Sequence, residues 1–89
     1  MALDPVILDG VTSVIVRTLG IEDRAAMLTS STPLFGAMPE LDSLAVLELV
    51  TGLESTFSIA IDDEDITGDV FETVGSLAEY VQRSVAAKG

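Results

Sequence analysis

The chain has 89 residues, enough for one domain with a compact core, so residues 1–89 are expected to form a single domain. Fifteen acidic residues against four basic ones give a net charge of −11, which disfavours nucleic acid and anionic membranes because both bind through Lys and Arg. Cysteine and histidine are absent, which excludes disulfides, Cys/His zinc sites and Ser–His or Cys–His catalysis.

The first predicted helix covers residues 5–18. Asp4 and Pro5 form a favourable start, because Asp caps the first turn and Pro tolerates the position where no N–H is needed. Aliphatic residues then recur at helical spacing, and Gly20 is a typical stop signal.

Residues 20–41 are predicted to form a long loop, because they contain two prolines and two glycines and show no sustained periodicity. A short helical turn around residues 22–28 is compatible with this sequence. A loop of this length is unusual in so small a domain and is a hint of function. Leu34 and Phe35 are expected to hold the loop against the core.

A second helix, over residues 43–57 with Asp42 as its cap, is the most regular segment of the sequence. Its apolar positions recur at intervals of four, three and four residues, at Val46, Val50, Leu53 and Phe57, with Leu44, Leu47 and Leu49 beside them. Glu48 and Glu54 lie off this stripe and are expected to face solvent.

The segment after the second helix concentrates acidic residues and precedes two further predicted helices. A short third helix is predicted over residues 67–72, and Thr73 is expected to cap a fourth over residues 74–86. The predicted fold is therefore all-α, a four-helix bundle with a long loop between helices 1 and 2 and a short third helix.

The tetrapeptide Leu41-Asp42-Ser43-Leu44 lies where the long loop meets the second helix. Here the sequence resembles the acyl carrier protein family, including its peptidyl and aminoacyl relatives, whose attachment motif is Asp-Ser-Leu. The tripeptide alone has little specificity. The resemblance extends over nearly all of residues 34–81, through the phase of the second helix, Phe57-x-Ile59-x-Ile61, the acidic loop and Thr73-Val74. Together these features make the resemblance to this family specific.

The resemblance implies a carrier protein rather than an enzyme, with no catalytic residue of its own. In this family a phosphopantetheinyl transferase moves 4′-phosphopantetheine from coenzyme A onto the serine, and the thiol of the arm then bears the acyl group as a thioester. The attachment site is accordingly Ser43, flanked by Asp42 and Leu44. A serine in a first helical turn lies beside N–H groups that favour a phosphodiester. Taken alone, the tripeptide is more typical of an ordinary helix start capped by Asp42.

The acidic residues have two interpretations, a solvated surface or a docking surface. The resemblance implies that the basic patches of acyl-loading and acyl-transferring enzymes dock on a set of six acids, namely Glu48, Glu54, Asp62, Asp63, Glu64 and Asp65. Where the usual fatty-acid carrier pattern has further acids, this chain has Ala45, Ser55 and Thr56. This departure argues against the standard fatty-acid synthase enzymes as partners. The lead-in Pro-Leu-Phe-Gly-(x)3-Glu-Leu-Asp-Ser-Leu resembles that of specialised carriers, which implies a specialised lipid, polysaccharide-associated or secondary-metabolite pathway rather than housekeeping fatty acid biosynthesis.

Residues 63–70 copy the first half of an EF-hand loop, but Val74 stands where the bidentate Glu is required, so no metal site is predicted. Gly52, in the middle of the second helix, has two interpretations, close helix packing or room for an acyl chain, and the first is favoured.

The alternative function is an acidic helical interaction module without a prosthetic group. The nature of the cargo, whether fatty acyl, polyketide or aminoacyl, stays open.

The remaining expectations concern where the protein acts and in what state. No stretch resembles a signal peptide or reaches transmembrane length, which predicts a cytoplasmic protein. The large net charge favours a monomer whose partners carry basic patches.

Overall fold

Three α-helices make up the framework of the computed structural model, which describes residues 3–34 and 42–88 apart from the side chains of Arg24 and Ser43. They are α1 (Pro5–Leu19), α2 (Ser43–Phe57) and α3 (Val74–Lys88), with 3₁₀ helices at Glu22–Met27 and Asp63–Asp65. The described residues contain no β-strand. None of the helices in this part of the chain is long and apolar enough to cross a membrane.

The boundaries of α1 follow from local hydrogen bonds at its two ends. The Asp4 carboxylate accepts a hydrogen bond of 2.9 Å from the Val6 N–H, which satisfies one of the free donors of the first turn. At the other end, Gly20 adopts the left-handed conformation, with φ 66°, and its N–H donates to the Val16 carbonyl. The predicted helix over residues 5–18 is confirmed to within one residue.

Reciprocal hydrogen bonds start α3 at the predicted place. The Thr73 hydroxyl accepts from the Ser76 N–H, and the Ser76 hydroxyl accepts from the Thr73 N–H, both at 3.0 Å. This pairing has the form of a capping box, with Ser in place of the usual Glu. The predicted helix over residues 74–86 is confirmed, and it continues for two more residues.

The short helix predicted over residues 67–72 is not confirmed, and with it the four-helix description fails for the described part of the chain. The segment is a turn, closed by a 3.1 Å hydrogen bond from the Phe71 N–H to the Thr67 carbonyl. Gly68 weakens helix formation, and six residues add too few hydrogen bonds to offset the entropy of nucleation. The helical turn considered around residues 22–28 is present as the 3₁₀ helix Glu22–Met27.

The three helices share one core in which α1 packs against both α2 and α3. Its largest fully buried side chains are mostly aliphatic, as the scarcity of aromatic residues requires; they are Phe71, Ile15, Leu34, Leu49, Leu53, Leu77, Val11, Val14, Val74 and Val81. Leu34 therefore holds the long loop to the core as predicted, whereas Phe35 lies outside the described residues. Leu44 and Leu47 do not join the core and are 64% and 59% exposed.

Residues 30–34 of the long loop are bound to the start of α3. The Leu34 N–H donates to the Glu72 carbonyl at 2.9 Å, and the Val74 N–H donates to the Thr32 carbonyl at 3.0 Å. The Gly75 N–H completes the set with a 2.8 Å hydrogen bond to the Ser30 carbonyl. A Cβ at position 75 would lie 2.7 Å from that carbonyl oxygen, so the close approach requires glycine.

We expect Gly75→Ala to destabilise the fold by about 1–3 kcal/mol, because the added methyl group meets backbone rather than a movable side chain. Gly52→Ala is the matched control: its Cβ would lie 3.0 Å from a methyl group of Val14, and the gain in helix propensity offsets part of the strain. Urea unfolding of the two variants measures the difference. Equal losses of stability in the two variants would contradict the close contact between Gly75 and the Ser30 carbonyl.

Candidate functional site

Ser43 is the first residue of α2, and Asp42 fixes it there. Asp42 has an extended backbone, and its carboxylate accepts a 2.8 Å hydrogen bond from the Ala45 N–H. The Asp42 carbonyl accepts the first helical hydrogen bond, from the Val46 N–H at 2.9 Å. Asp42 is thus the N-cap that the sequence predicted, and Ser43 occupies the first helical position immediately after it.

This position suits a residue that carries an anionic group. The N-terminus of α2 has a partial positive charge from the aligned peptide dipoles, and the first turn of a helix has N–H groups without intrahelical acceptors. The Asp42 carboxylate is engaged with the Ala45 N–H, while Asp42 and Leu44 are both exposed on either side of Ser43. The unpaired N–H groups of the first turn and the exposure of both neighbours suit a phosphodiester that carries a flexible arm.

The exposed side of α2 carries a row of residues, here named the α2 stripe, made up of Leu44, Glu48, Thr51 and Ser55. Their spacing of four, three and four residues places them on one helix face, and all four are exposed. Leu47 lies one turn from Ser43 and is also exposed. The stripe is opposite the buried Leu49, Val50 and Leu53. The apolar periodicity did not predict that Leu44 and Leu47 would be exposed to solvent. Their spacing from the buried Leu53, however, indicates that they lie on a different face of α2.

Glu54 does not belong to this exposed surface. It is half-buried, and its Oε2 accepts a 2.8 Å hydrogen bond from the Ile61 N–H. The carboxylate thereby fixes the chain just after α2 and brings Ile61 into the core. The expectation that Glu54 faces solvent is wrong, because a contact with a residue seven positions later is not visible in helical periodicity.

The acidic segment lies beyond the far end of α2. Asp62, Asp63 and Glu64 are exposed, whereas Asp65 is half-buried and accepts a 2.8 Å hydrogen bond from the Tyr80 hydroxyl. With a rise of about 1.5 Å per residue, the length of α2 separates this segment from Ser43 by roughly 20 Å. Within residues 3–34 and 42–88 no three carboxylates are arranged to hold a metal ion.

The contact between Tyr80 and Asp65 changes the acidity of the phenol. Burial raises the pKa of Tyr80 above its ordinary value of 10.0, and the hydrogen bond to Asp65 and the negative charge of Asp65 raise it further. The neutral phenol is therefore favoured in the folded state. Its contribution to stability is present below about pH 10 and is lost as the pH rises through the folded-state pKa.

Because Tyr80 is the only tyrosine and tryptophan is absent, tyrosinate absorbance reports this group alone. We expect its titration midpoint to lie above pH 10.0. Asp65→Asn should lower the midpoint only part of the way, because burial is the larger cause, while Asp69→Asn should leave it unchanged. A midpoint that Asp65→Asn does not move would contradict the hydrogen bond.

Two comparisons place this geometry among known proteins. A family model described as "Phosphopantetheine attachment site" matches residues 9–81, a span that includes all of α2. The solution NMR structure of a holo acyl carrier protein from Nitrosomonas europaea superimposes with a TM-score of 0.82 at 39% sequence identity. That match covers 89% of this chain and 95% of the other.

The fold and the family match define the class as a helical carrier domain. The chain belongs to the phosphopantetheine attachment site family, as the sequence resemblance implied. It is a carrier rather than an enzyme, and its prosthetic group is 4′-phosphopantetheine. When bound, that group supplies the thiol for thioester formation, which the cysteine-free chain itself lacks.

Proposed function

We propose that this protein carries acyl groups as thioesters on a 4′-phosphopantetheine arm attached to Ser43 and presents them to separate partner enzymes. The observation that carries the proposal is the position of Ser43 at the first residue of α2, inside the span that matches the attachment-site family. The Asp42 cap and the positive end of the helix support attachment of a phosphodiester at this position. An acidic interaction module without a prosthetic group is the weaker candidate, because it leaves the family match unexplained.

The surface next to Ser43 supports docking by enzymes that act on the arm. Leu44 and Leu47 offer exposed apolar area within one turn of the serine, and Glu48 adds one exposed carboxylate. Such a patch favours a partner with an apolar contact surface and a nearby basic residue. The more distant Asp62, Asp63 and Glu64 would attract a basic partner over a longer range.

Docking on α2 therefore depends on a single exposed acid. Glu48 and Glu54 are the only acidic residues of α2, and Glu54 is engaged with the backbone of Ile61. Ala45 is buried and uncharged, while Ser55 and Thr56 are exposed but neutral. This sparse acidic surface favours dedicated partners in a specialised lipid, polysaccharide-associated or secondary-metabolite pathway. Cytoplasmic location and the monomeric state stay predictions.

Ser43→Ala should abolish arm attachment, because it removes the hydroxyl oxygen that would bond to the phosphate. Incubation with coenzyme A and a broad-range phosphopantetheinyl transferase, followed by intact mass measurement, checks this. Ser13→Ala, which removes an exposed hydroxyl from α1, away from the α2 stripe, is the control and should load fully. Loading that persists in Ser43→Ala would place the arm elsewhere, and an unloaded wild type would favour the interaction module.

Glu48→Lys should slow arm transfer several-fold at low salt by weakening the encounter with a basic partner, with little change in unfolding, since the side chain is exposed. The defect should shrink as salt screens the interaction. Initial rates with the same transferase at low and high ionic strength measure both effects.

Glu79→Lys is the matched control, because it makes the same charge change at an exposed position of α3. Its effect should be smaller than that of Glu48→Lys at every salt concentration. Equal effects of the two variants would mean that only net charge matters and would overturn docking on α2.

A further inference from the structure

A shallow groove of about 280 Å³ lies between α1 and α2, lined by Val14, Arg17, Thr18, Gly52, Ser55 and Thr56. Gly52 shapes it, because a Cβ at this position would lie 3.0 Å from Val14 Cγ1. The glycine lets the two helices approach closely and leaves the middle of the groove free of a side chain. Close helix packing, the favoured reading of Gly52 from the sequence, agrees with this contact.

The four polar side chains of the groove can all donate hydrogen bonds, and none of them has a side-chain partner in the described part of the chain. Arg17, in the last turn of α1, is exposed and forms no ion pair there. The hydroxyls of Thr18, Ser55 and Thr56 likewise make no hydrogen bond within residues 3–34 and 42–88, in contrast to Thr12 and Thr51, which bond to carbonyls four residues earlier.

The lining contains no acidic side chain, although the protein has fifteen of them. A guanidinium group and three hydroxyl groups that line one groove form a donor set suited to a carboxylate, which an Arg side chain can bind with two parallel hydrogen bonds. The local charge of the groove is thus opposite to that of the molecule as a whole.

The groove is continuous with the surface proposed to dock partner enzymes. Ser55 is both a wall of the groove and the last member of the α2 stripe, seven residues beyond Glu48. At about 1.5 Å per residue, the two lie roughly 10 Å apart along the helix. An enzyme that covers the stripe from Leu44 onward would therefore also cover the groove.

We propose that this groove receives the carboxylate of an Asp or Glu side chain from a partner enzyme docked on α2. This inference rests on the proposed carrier function and defines the partner more closely. The complementary surface has an apolar contact for Leu44, a basic residue for Glu48 and an acidic residue roughly 10 Å further along the helix axis. The groove is open and Arg17, Ser55 and Thr56 are exposed, so a carboxylate binds there weakly on its own and more tightly when the same partner also contacts Leu44 and Glu48. The opposite charges at the two ends fix the orientation of the partner on α2.

The probe for this site is the N-methylamide of N-acetylglutamate, which presents a Glu side chain without other charges. It is titrated at constant ionic strength into the isotope-labelled wild-type protein, and amide resonances are followed by NMR. We expect saturable shifts confined to residues around Arg17, Thr18, Ser55 and Thr56. Arg17→Gln should weaken binding about tenfold or more, because a charge-assisted hydrogen-bond pair is lost.

The matched control is Arg83→Gln, which removes the same charge from another groove, of about 780 Å³, whose lining includes Asp65. This variant should bind the probe with less than about a twofold change. Three outcomes would overturn the proposal: an equal response to the N-acetylglutamine analogue, undiminished binding by Arg17→Gln, or a preference for inorganic phosphate, which would mark a phosphate site instead. Arm attachment to Ser43, read by mass, is independent of this titration, so the two proposals fail separately.

Discussion

The hydrogen bond from the Ala45 N–H to the Asp42 carboxylate is the interaction on which the position of the proposed attachment site depends. It stops the long loop and begins α2 at the next residue, Ser43. Caps of this kind contribute about 1 kcal/mol, a substantial amount for a domain of 89 residues. Because the carboxylate is held by the Ala45 N–H, its negative charge is partly offset close to the place where a phosphodiester would attach.

A cap fixes where a helix begins, but not which side of the helix faces the core. That is decided by the buried Leu49 and Leu53, which hold α2 against the rest of the domain and turn the α2 stripe outward. Glu54 secures the other end of the helix through the Ile61 N–H. The long loop is held separately, by the hydrogen bonds between residues 30–34 and the start of α3. Ser43 is thus the first residue of a helix whose buried face and C-terminal end are both attached to the core.

The parts of the fold that the sequence predicted are those that depend on neighbouring residues. The starts of α1, α2 and α3 follow from caps whose partners lie two or three residues away. The predicted helix over residues 67–72 failed because its apolar residues are anchored by tertiary contacts, such as burial of Phe71, that do not require helical geometry.

The same distinction between local and distant contacts applies to the candidate site. The position of Ser43 could be read from the Asp-Ser-Leu motif and the helix phase. The engagement of Glu54 and Asp65 could not, because their partners Ile61 and Tyr80 are seven and fifteen residues away in the sequence. Apolar periodicity also placed Leu44 and Leu47 beside the core, since a helix rich in leucine offers more than one possible buried face.

The net charge of the molecule and the local charge near Ser43 have different effects on partner binding. A net charge of −11 raises the association rate of basic partners, but it does not define the surface on which they bind. Close to Ser43 the charge is sparse, with Glu48 as the one free carboxylate of α2 and Leu44 and Leu47 as the exposed apolar contacts. Salt weakens long-range attraction far more than apolar contact. A partner held mainly by these leucines would therefore arrive more slowly in high salt, yet dissociate at a nearly unchanged rate once docked.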